Sequence, residues 1–201
     1  MATRLVVGLN LSRSSIIPSE LGQISSLNYL NLASSNISRK VPSSFWNLSK
    51  LTYLDISFNN LYGHLSSTFR DLRLLSMIDF SGYQLSDEVS LSIVNVTKLK
   101  RLLLPTNSFT GQIMSSIGKL RQVNDLDVSD NNFDGDIPSL LFMMPCLISL
   151  WLHNYKFTRS PHLDIHNGSS SPLKFLSLRE NLLNGPIPKW ITNNLSGTLE
   201  L

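Results

Sequence analysis

The chain has 201 residues, a formal net charge of +3 and only 15% charged residues. Its 42% hydrophobic content excludes a disordered tail. No apolar run reaches the roughly 18 residues that span a bilayer, and the scattered cations do not favour a nucleic-acid partner. A single cysteine excludes an internal disulfide framework, so the bias toward 37 Leu, 32 Ser and 18 Asn is the informative feature.

The predicted elements follow a repeat of 24 residues. After an irregular first coil at 6–26, the pattern L-x-x-L-x-L begins at positions that are 24 residues apart, with a last interval of 26. These positions are Leu27, Leu51, Leu75, Leu99, Val123, Leu147 and Leu173. A fixed period of this size predicts a solenoid, in which each repeat forms one coil and buries its hydrophobic side chains against its neighbours.

Each coil begins with a predicted strand. In an L-x-L stretch alternate side chains point inward, so successive coils form a parallel sheet whose other side chains face solvent. Asparagines follow the strands at one position of the repeat, namely Asn59, Asn107, Asn131 and Asn181. We expect this structural ladder of amides to bond backbone groups of neighbouring turns, which a tight coil would otherwise bury unpaired.

Two stretches, NFDGDIPSLL and NLLNGPIPKWI, resemble the plant-specific leucine-rich repeat, L-x-x-L-x-L-x-x-N-x-L-x-G-x-I-P. The resemblance implies an α/β-type solenoid, a right-handed superhelix with a parallel concave β-sheet and a mostly irregular or 3-10 convex side. It covers residues 5–201 as a single solenoid of about seven coils plus the start of another. The unit that contains 159–172 lacks the G-x-I-P turn, so we expect a loop insertion there.

The last stretch, SSSPLKFLSLRENLLNGPIPKWITNNLSGTLEL, is similar to ectodomains of receptor-like proteins, and receptor kinases share the pattern. The sequence shows no signal peptide, cap, transmembrane segment or kinase segment. We therefore expect an internal fragment or a truncated gene product. The resemblance implies the extracellular face of the plasma membrane, reached only through segments that are missing from this chain.

No catalytic residue, metal site or cofactor is predicted. His162, Asp164 and His166 alternate and could bind zinc or copper in an extended segment, but a solvated loop is the simpler interpretation. Cys146 is expected to be a small buried thiol, since a nucleophile would need a nearby base that no spacing supplies. The chain is therefore not expected to be an enzyme.

Glycosylation motifs, Asn-x-Ser/Thr, recur along the chain. The expected glycosylation sites are Asn36, Asn47, Asn95, Asn167 and Asn194. Asn47 and Asn95 occupy the same place in their repeats, on the convex side, where a glycan would leave the strands uncovered. Asn10 also lies in such a motif, but within a predicted strand, so we expect it to be glycosylated poorly.

The residues around the inward leucines predict a binding surface on the concave side. Aromatic and arginine side chains cluster in two places there, and rigid aromatics and arginine contribute large contact areas at low entropy cost. The first cluster is Tyr29, Tyr53 and Phe58, and the second is Trp151, His153, Phe175 and Arg179. Between them lie Arg101, Leu103 and an acidic stripe of Asp125, Asp127 and Asp130. The alternative is that the aromatics shield the sheet and the carboxylates are solvated.

Three functional hypotheses follow. The leading one is a recognition segment of a plant receptor-like protein in defence or developmental signalling, with a peptide or protein ligand and a co-receptor as partners. The second is a soluble wall-enzyme inhibitor that resembles polygalacturonase-inhibiting proteins. The third is a truncated receptor gene product without an independent function.

Overall fold

A computed structural model gives the fold of the chain. It describes residues 7–13, 19–38, 40, 43–64, 68–82, 84–87, 89, 91–113, 115–155, 157, 172–184, 189, 191 and 195–201. The predicted loop insertion at 159–172 lies outside these residues except for residue 172, as do parts of the irregular first coil.

The main sheet of the described residues contains nine strands, all parallel. They are β1 (Gly8–Asn10), β2 (Tyr29–Asn31), β3 (Tyr53–Asp55), β5 (Met77–Asp79), β7 (Arg101–Leu103), β9 (Asp125–Asp127), β11 (Ser149–Trp151), β12 (Phe175–Ser177) and β13 (Thr198–Glu200). Strands that are adjacent in this sheet belong to successive coils. Their register places Leu54 beside Ile78 and Leu102 beside Leu126. The parallel sheet of the predicted solenoid is confirmed.

A second parallel sheet follows the asparagine position of the coils. Its strands are β4 (Tyr62–His64), β6 (Gln84–Asp87), β8 (Ser108–Gln112) and β10 (Asn132–Asp134), in the order β10-β8-β6-β4. The repeat glycines Gly111 and Gly135 adopt positive φ angles of 78°, which glycine tolerates without strain. The sequence analysis did not predict this sheet, because its short segments show no alternation of apolar and polar residues.

Short 3-10 helices form the opposite side of the coils. They are η1 (Ser19–Gln23), η2 (Ser43–Asn47), η3 (Thr68–Asp71), η4 (Leu91–Asn95), η5 (Ser115–Lys119) and η6 (Ser139–Met143). Pro138 precedes η6 with φ at −62°, which its ring imposes. This agrees with the expected 3-10 side of the solenoid. No helix of the described residues is long and apolar enough to cross a membrane.

The core lies between the main sheet and the 3-10 helices. The central residues of the main-sheet strands from β2 to β12 are buried, as Leu30, Leu54 and Leu150 show. Aromatic rings also fill the core, where the ring centroid of Trp46 lies 5.3 Å from that of Phe69. The inward direction predicted for the L-x-L leucines therefore agrees with the structure.

Asparagine side chains connect successive coils. Asn59 donates from Nδ2 to the carbonyl oxygens of Ile56, at 2.8 Å, and of Leu32 in the preceding coil, at 2.9 Å. Its Oδ1 accepts from the backbone N–H groups of Ser35 and Ile37, both at 3.0 Å. The Nδ2 groups of Asn107, Asn131 and Asn181 make the corresponding donations. Each amide thus satisfies backbone groups that the coil buries.

The residue before this asparagine position has a left-handed backbone in every coil. The residues are Arg13, Ser34, Phe58, Gly82, Thr106, Asp130, Asn154 and Glu180, with φ between 53° and 76°. A side chain other than glycine or asparagine costs energy in this conformation, and the cost rises for β-branched or bulky residues such as Thr106 and Phe58. The coil geometry therefore imposes strain at a position that the sequence leaves variable.

Cys146 is exposed, so the expectation of a buried thiol was wrong. The residue lies in the turn between η6 and β11, where Leu147 is 1% exposed and Pro145 is exposed. The turn directs the leucine into the core and leaves the preceding side chain in solvent.

Candidate ligand-binding site

The first and third residues of the nine strands form the outward surface of the main sheet, called the strand face here. The parallel register brings Arg101 beside Asp125, and Asp127 beside both Leu103 and Trp151. Because neighbouring strands pair in register about 4.8 Å apart, a side chain on this face meets those of the next coil directly. Predicted site residues that are 24 positions apart thus become neighbours.

Trp151 and Phe175 form an aromatic pair on the strand face. Their ring centroids are 5.0 Å apart with an interplanar angle of 38°, and both side chains are half-buried. The contact is diagonal, because Trp151 is in register with Ser177 and Phe175 with Ser149. The small serines leave room for the two rings to meet. The structure therefore brings these two members of the second predicted cluster together.

His153 joins the acidic stripe rather than the aromatic pair. Its Nε2 lies 3.5 Å from Oδ2 of Asp130, whose Oδ1 accepts a hydrogen bond of 2.7 Å from Nδ2 of Asn154. The sequence analysis missed this link, although His153 and Asn154 follow Asp130 by nearly one repeat. Arg179 remains 57% exposed, with a contact of 3.9 Å to Glu180 in solvent. Its guanidinium can meet a ligand at little cost in desolvation.

Arg101 and Asp125 form an ion pair across β7 and β9. Nε of Arg101 lies 3.2 Å from Oδ2 of Asp125, and their side chains are 49% and 29% exposed. Leu103, on the other outward position of β7, is half-buried. Arg101 therefore partly neutralises the predicted acidic stripe by pairing with Asp125, and His153 contacts Asp130 in the same stripe.

Asp127 holds the turn that follows its strand. Its Oδ1 accepts hydrogen bonds from the backbone N–H of Ser129, at 3.0 Å, and from Oγ of Ser129, at 2.6 Å. Burial raises the pKa of Asp127 above its ordinary value, although the bonds from Ser129 act in the opposite direction. Asp55 accepts the same two bonds from Ser57. These aspartates stabilise the coil whether or not they also meet a ligand.

The first predicted cluster divides into two parts. Tyr29 and Tyr53 stack with centroids 4.4 Å apart and an interplanar angle of 15°. Burial, with the nearby charge of Asp55, raises the pKa of Tyr53 to about 12. Phe58 is 66% exposed in the turn after β3, beside Gly82, and makes no ring contact with the tyrosines in the described part of the chain.

The described glycosylation motifs lie at exposed positions. Asn47 ends η2 and Asn95 ends η4, so both are on the 3-10 side, and Asn36 follows the left-handed turn after β2. Asn167 and Asn194 lie outside the described residues, as do His162, Asp164 and His166. Asn10 is in β1 on the strand face, where its Oδ1 accepts a hydrogen bond of 3.0 Å from the N–H of Ser12. Within the described ranges, no group of three metal-ligating side chains forms.

A family model described as a leucine-rich repeat region matches residues 6–184. The chain belongs to the leucine-rich repeat family. No curated protein sequence gives a significant match. Similar solved structures are ectodomains of plant leucine-rich repeat receptors, a protein class that is not a known enzyme family.

One similar structure is the plant peptide hormone receptor RGFR1 in complex with RGF2, at 30% identity and a TM-score of 0.79, covering 96% of this chain and 31% of that one. A second is the Arabidopsis receptor kinase HAESA with an N-terminally extended IDA peptide, at 31% identity and a TM-score of 0.81. This match covers 92% of this chain and 31% of the HAESA chain. A third is HAESA with IDA and the co-receptor SERK1, at 25% identity and a TM-score of 0.71. This match covers 91% of this chain and 35% of the matched chain. The leucine-rich repeat chain thus spans about a third of each matched chain.

Proposed function

We propose that the strand face binds a peptide or protein ligand, as the recognition segment of a plant receptor-like protein. The observation that carries the proposal is the Trp151–Phe175 pair, which holds two half-buried rings on rigid neighbouring strands. Rings fixed in this way lose little entropy on binding and dominate the energies of protein interfaces. The similar structures support a peptide, since RGFR1 is complexed with RGF2 and HAESA with IDA.

The charges around the rings define what the ligand presents. Arg179 is two residues beyond the end of β12 and exposed, so it complements a carboxylate of the ligand. On the other side, Asp127 and Asp130 attract a cationic group, although His153 occupies part of the Asp130 carboxylate. A ligand segment with an apolar side chain between an acidic and a basic group fits this arrangement.

The cellular setting is part of the same proposal. One HAESA structure contains the co-receptor SERK1, which supports a co-receptor as a second partner. We infer the extracellular face of the plasma membrane and a role in defence or developmental signalling, because the matched proteins are receptor ectodomains. Asn36, Asn47 and Asn95 are proposed to carry glycans, which would stand away from the strand face.

A displayed library of random peptides tests the proposal. Peptides are selected on the 201-residue chain and their affinities are then measured for Trp151→Ala, Phe175→Ala and the control Tyr62→Ala. Tyr62 is a matched control because it is an aromatic residue, 48% exposed, in the second sheet. We expect selected peptides to lose about tenfold or more in affinity for Trp151→Ala and Phe175→Ala, which corresponds to ~1.4 kcal/mol, and to keep their affinity for Tyr62→Ala.

The fold of each variant is checked by its circular dichroism spectrum and thermal midpoint. Peptides that bind all three variants equally would place the binding surface elsewhere and contradict the proposal. If Trp151→Ala fails to fold, Trp151 is a core residue, and Phe175→Ala alone then decides whether the aromatic pair binds.

A further inference from the structure

Four exposed apolar residues gather in one coil, between the start of η6 and the start of β11. Leu140 and Met143 lie three residues apart in η6, so the 3-10 helix places their exposed side chains on the same face. Pro145 is exposed in the turn that follows, and the exposed Ile148 directly precedes β11. These four residues form what we call the apolar patch.

The repeat does not require apolar side chains at these places. The residues 24 positions before Leu140, Met143 and Ile148 are Ser116, Lys119 and Asn124, and those 48 positions before them are Ser92, Asn95 and Lys100. Those coils form the same 3-10 helices and strands with polar side chains there. Single exposed apolar residues are ordinary on a protein surface, but a group of them rimmed by polar residues marks an interaction site.

The backbone fixes the apolar patch between its two neighbouring coils. Leu140 packs against η5 because Gly118 has no side chain, since a Cβ at residue 118 would lie 3.1 Å from Cβ of Leu140. The N–H of Ile148 donates to the carbonyl of Asn124 at 2.8 Å, and its carbonyl accepts from the N–H of Lys174 at 2.8 Å. The patch is therefore held in place before any partner arrives.

Three cations lie in the coils on either side of the apolar patch. In the preceding coil Lys119 ends η5 at the place that Met143 has in η6, and Arg121 lies in the turn before β9. In the following coil Lys174 directly precedes β12. All three side chains are exposed, and none forms an ion pair with another residue of the described ranges. Their charges are free to meet a partner that covers the patch.

The stretches that form the patch and its preceding coil contain no carboxylate. Neither 89–124 nor 137–163 includes an Asp or Glu. Of the two carboxylates that border these stretches, Asp125 pairs with Arg101 on the strand face, and Asp136, before η6, has a contact of its own. The rim of the patch is therefore positively charged.

We propose that the apolar patch and its three cations bind an acidic polypeptide segment, in which an apolar side chain lies between carboxylates. An apolar centre with a polar rim is the arrangement of a protein interface, and the positive rim selects the sign of the partner. The patch residues lie in η6 and in the turn before β11, and so are separate from the strand face. The proposal therefore does not rest on the proposed function.

Other partners fit this surface less well. A polysaccharide or a nucleic acid would leave the apolar side chains uncovered, and the aromatic residue of η6, Phe142, is buried and offers no ring for base stacking. A second copy that used the same patch about a two-fold axis would bring Lys119 and Arg121 against like charges. Insertion into a membrane is opposed by Leu141 and Phe142, which fix η6 to the core.

Peptides displayed from a random library test the proposal. The library is first depleted on Met143→Ser and then selected on the 201-residue chain, under reducing conditions because Cys146 is exposed. The surviving peptides therefore depend on the side chain of Met143. Leu182→Ser is the matched control, since Leu182 is 62% exposed, against 57% for Met143, but follows the asparagine position after β12.

We expect the surviving peptides to combine an apolar residue with several Asp or Glu residues. Their affinity should fall about tenfold or more for Met143→Ser and change less than about twofold for Leu182→Ser. Circular dichroism of both variants checks the fold. Ile148→Ser is the second patch variant and should weaken the same peptides.

The cations are tested by Lys119→Gln/Lys174→Gln, which should weaken the surviving peptides about threefold or more, with binding that falls as salt rises. The control is Arg13→Gln/Lys40→Gln, which removes the same charge elsewhere: Arg13 lies in the left-handed turn after β1, and Lys40 pairs with Tyr62 of β4. Its effect should be less than about twofold. Equal losses in the two charge variants would mean that net charge alone attracts the peptides, which overturns the proposal.

The absence of surviving peptides, or survivors without carboxylates, would also overturn the proposal. A dimer in light scattering that Met143→Ser converts to a monomer would assign the patch to a second copy instead. Phosphatidylserine vesicles that displace the peptides would assign it to a membrane. The survivors should bind Trp151→Ala as tightly as the original chain, so failure of the strand-face proposal does not affect this result, whereas loss of binding in Trp151→Ala would contradict a separate site.

Discussion

Nδ2 of Asn59 lies 2.9 Å from the carbonyl oxygen of Leu32, so one side chain bonds a backbone group of the preceding coil. The same amide group satisfies further buried donors and acceptors in its own coil and the one before it. Asn59 is itself only 6% exposed. The contact between neighbouring coils thus depends on polar groups as well as on leucine packing, since each unmade bond would leave a buried backbone group without a partner.

Asn59→Ala is therefore expected to lower the free energy of unfolding by about 2–4 kcal/mol, because several buried backbone groups lose their partner. Urea unfolding followed by circular dichroism measures the change. Asn60→Ala is the matched control, since Asn60 is the next residue, is exposed, and has a side chain whose hydrogen bond to a described residue is a long one of 3.5 Å to Asn36. Its stability should change by less than about 0.5 kcal/mol. Similar losses in the two variants would contradict the role of the ladder.

The titration of Asp127 should lower the free energy of unfolding as the pH rises. Burial raises its pKa in the folded chain, so the folded state keeps a proton that the unfolded chain releases near the ordinary carboxylate pKa of about 3.9. Stability is lost as pH rises from there through the raised pKa. Asp127→Asn keeps an oxygen for Ser129 and removes the buried charge.

We expect Asp127→Asn to flatten the pH dependence of the unfolding free energy above about pH 4 and to raise the unfolding free energy at pH 7. Asp134→Asn, an exposed residue in β10, is the control and should leave the profile unchanged. A lower stability of Asp127→Asn at pH 7 would mean that the attraction between Asp127 and His153 outweighs the cost of burying the charge.

Phe58 combines a left-handed backbone, with φ at 53°, and a side chain that is 66% exposed. Asparagine tolerates this conformation better, so Phe58→Asn should raise the free energy of unfolding by about 0.5–1 kcal/mol. Phe58→Val, a β-branched residue, should lower it. Thermal and urea unfolding of both variants provide the measurement. A loss of stability in Phe58→Asn would show that the contact of the ring with Gly82 is worth more than the backbone strain.

Glycan occupancy should differ between the 3-10 side and the strand face. When the chain is secreted from plant cells behind an added signal peptide, we expect Asn47 and Asn95 to be largely occupied and Asn10 poorly occupied, because Asn10 lies within β1. Mass spectrometry of glycopeptides before and after deglycosylation gives the occupancy at each site. Asn47→Gln/Asn95→Gln should remove two glycans and leave the circular dichroism spectrum unchanged. Full occupancy at Asn10 would refute the expectation.

The 24-residue repeat was sufficient to predict the main sheet, and the resemblance to the plant-specific repeat implied the 3-10 side. Each coil places its leucines, asparagine and glycine by rules that act within about one repeat, so residues such as Leu54 and Asn59 could be assigned from their spacing alone. The second sheet was missed because its strands contain few apolar residues and are stabilised by pairing between coils. Cys146 was misassigned because burial in a turn depends on the direction of a single side chain.

The candidate site was predictable as a set of positions and not as a set of contacts. The aromatic residues at 151 and 175 were recognised, but their pairing depends on Ser149 and Ser177 leaving space between the strands. The link between His153 and Asp130 was not recognised, because it joins successive coils at their left-handed turns.

The sequence by itself determined that the chain is a leucine-rich repeat solenoid and which side chains point inward, because these properties follow from local periodicity. Only the tertiary structure decided which outward side chains meet and which carboxylates are buried. Stacking gives every residue new neighbours about 24 positions away, and their mutual packing, hydrogen bonding and charge depend on the three-dimensional register of the coils.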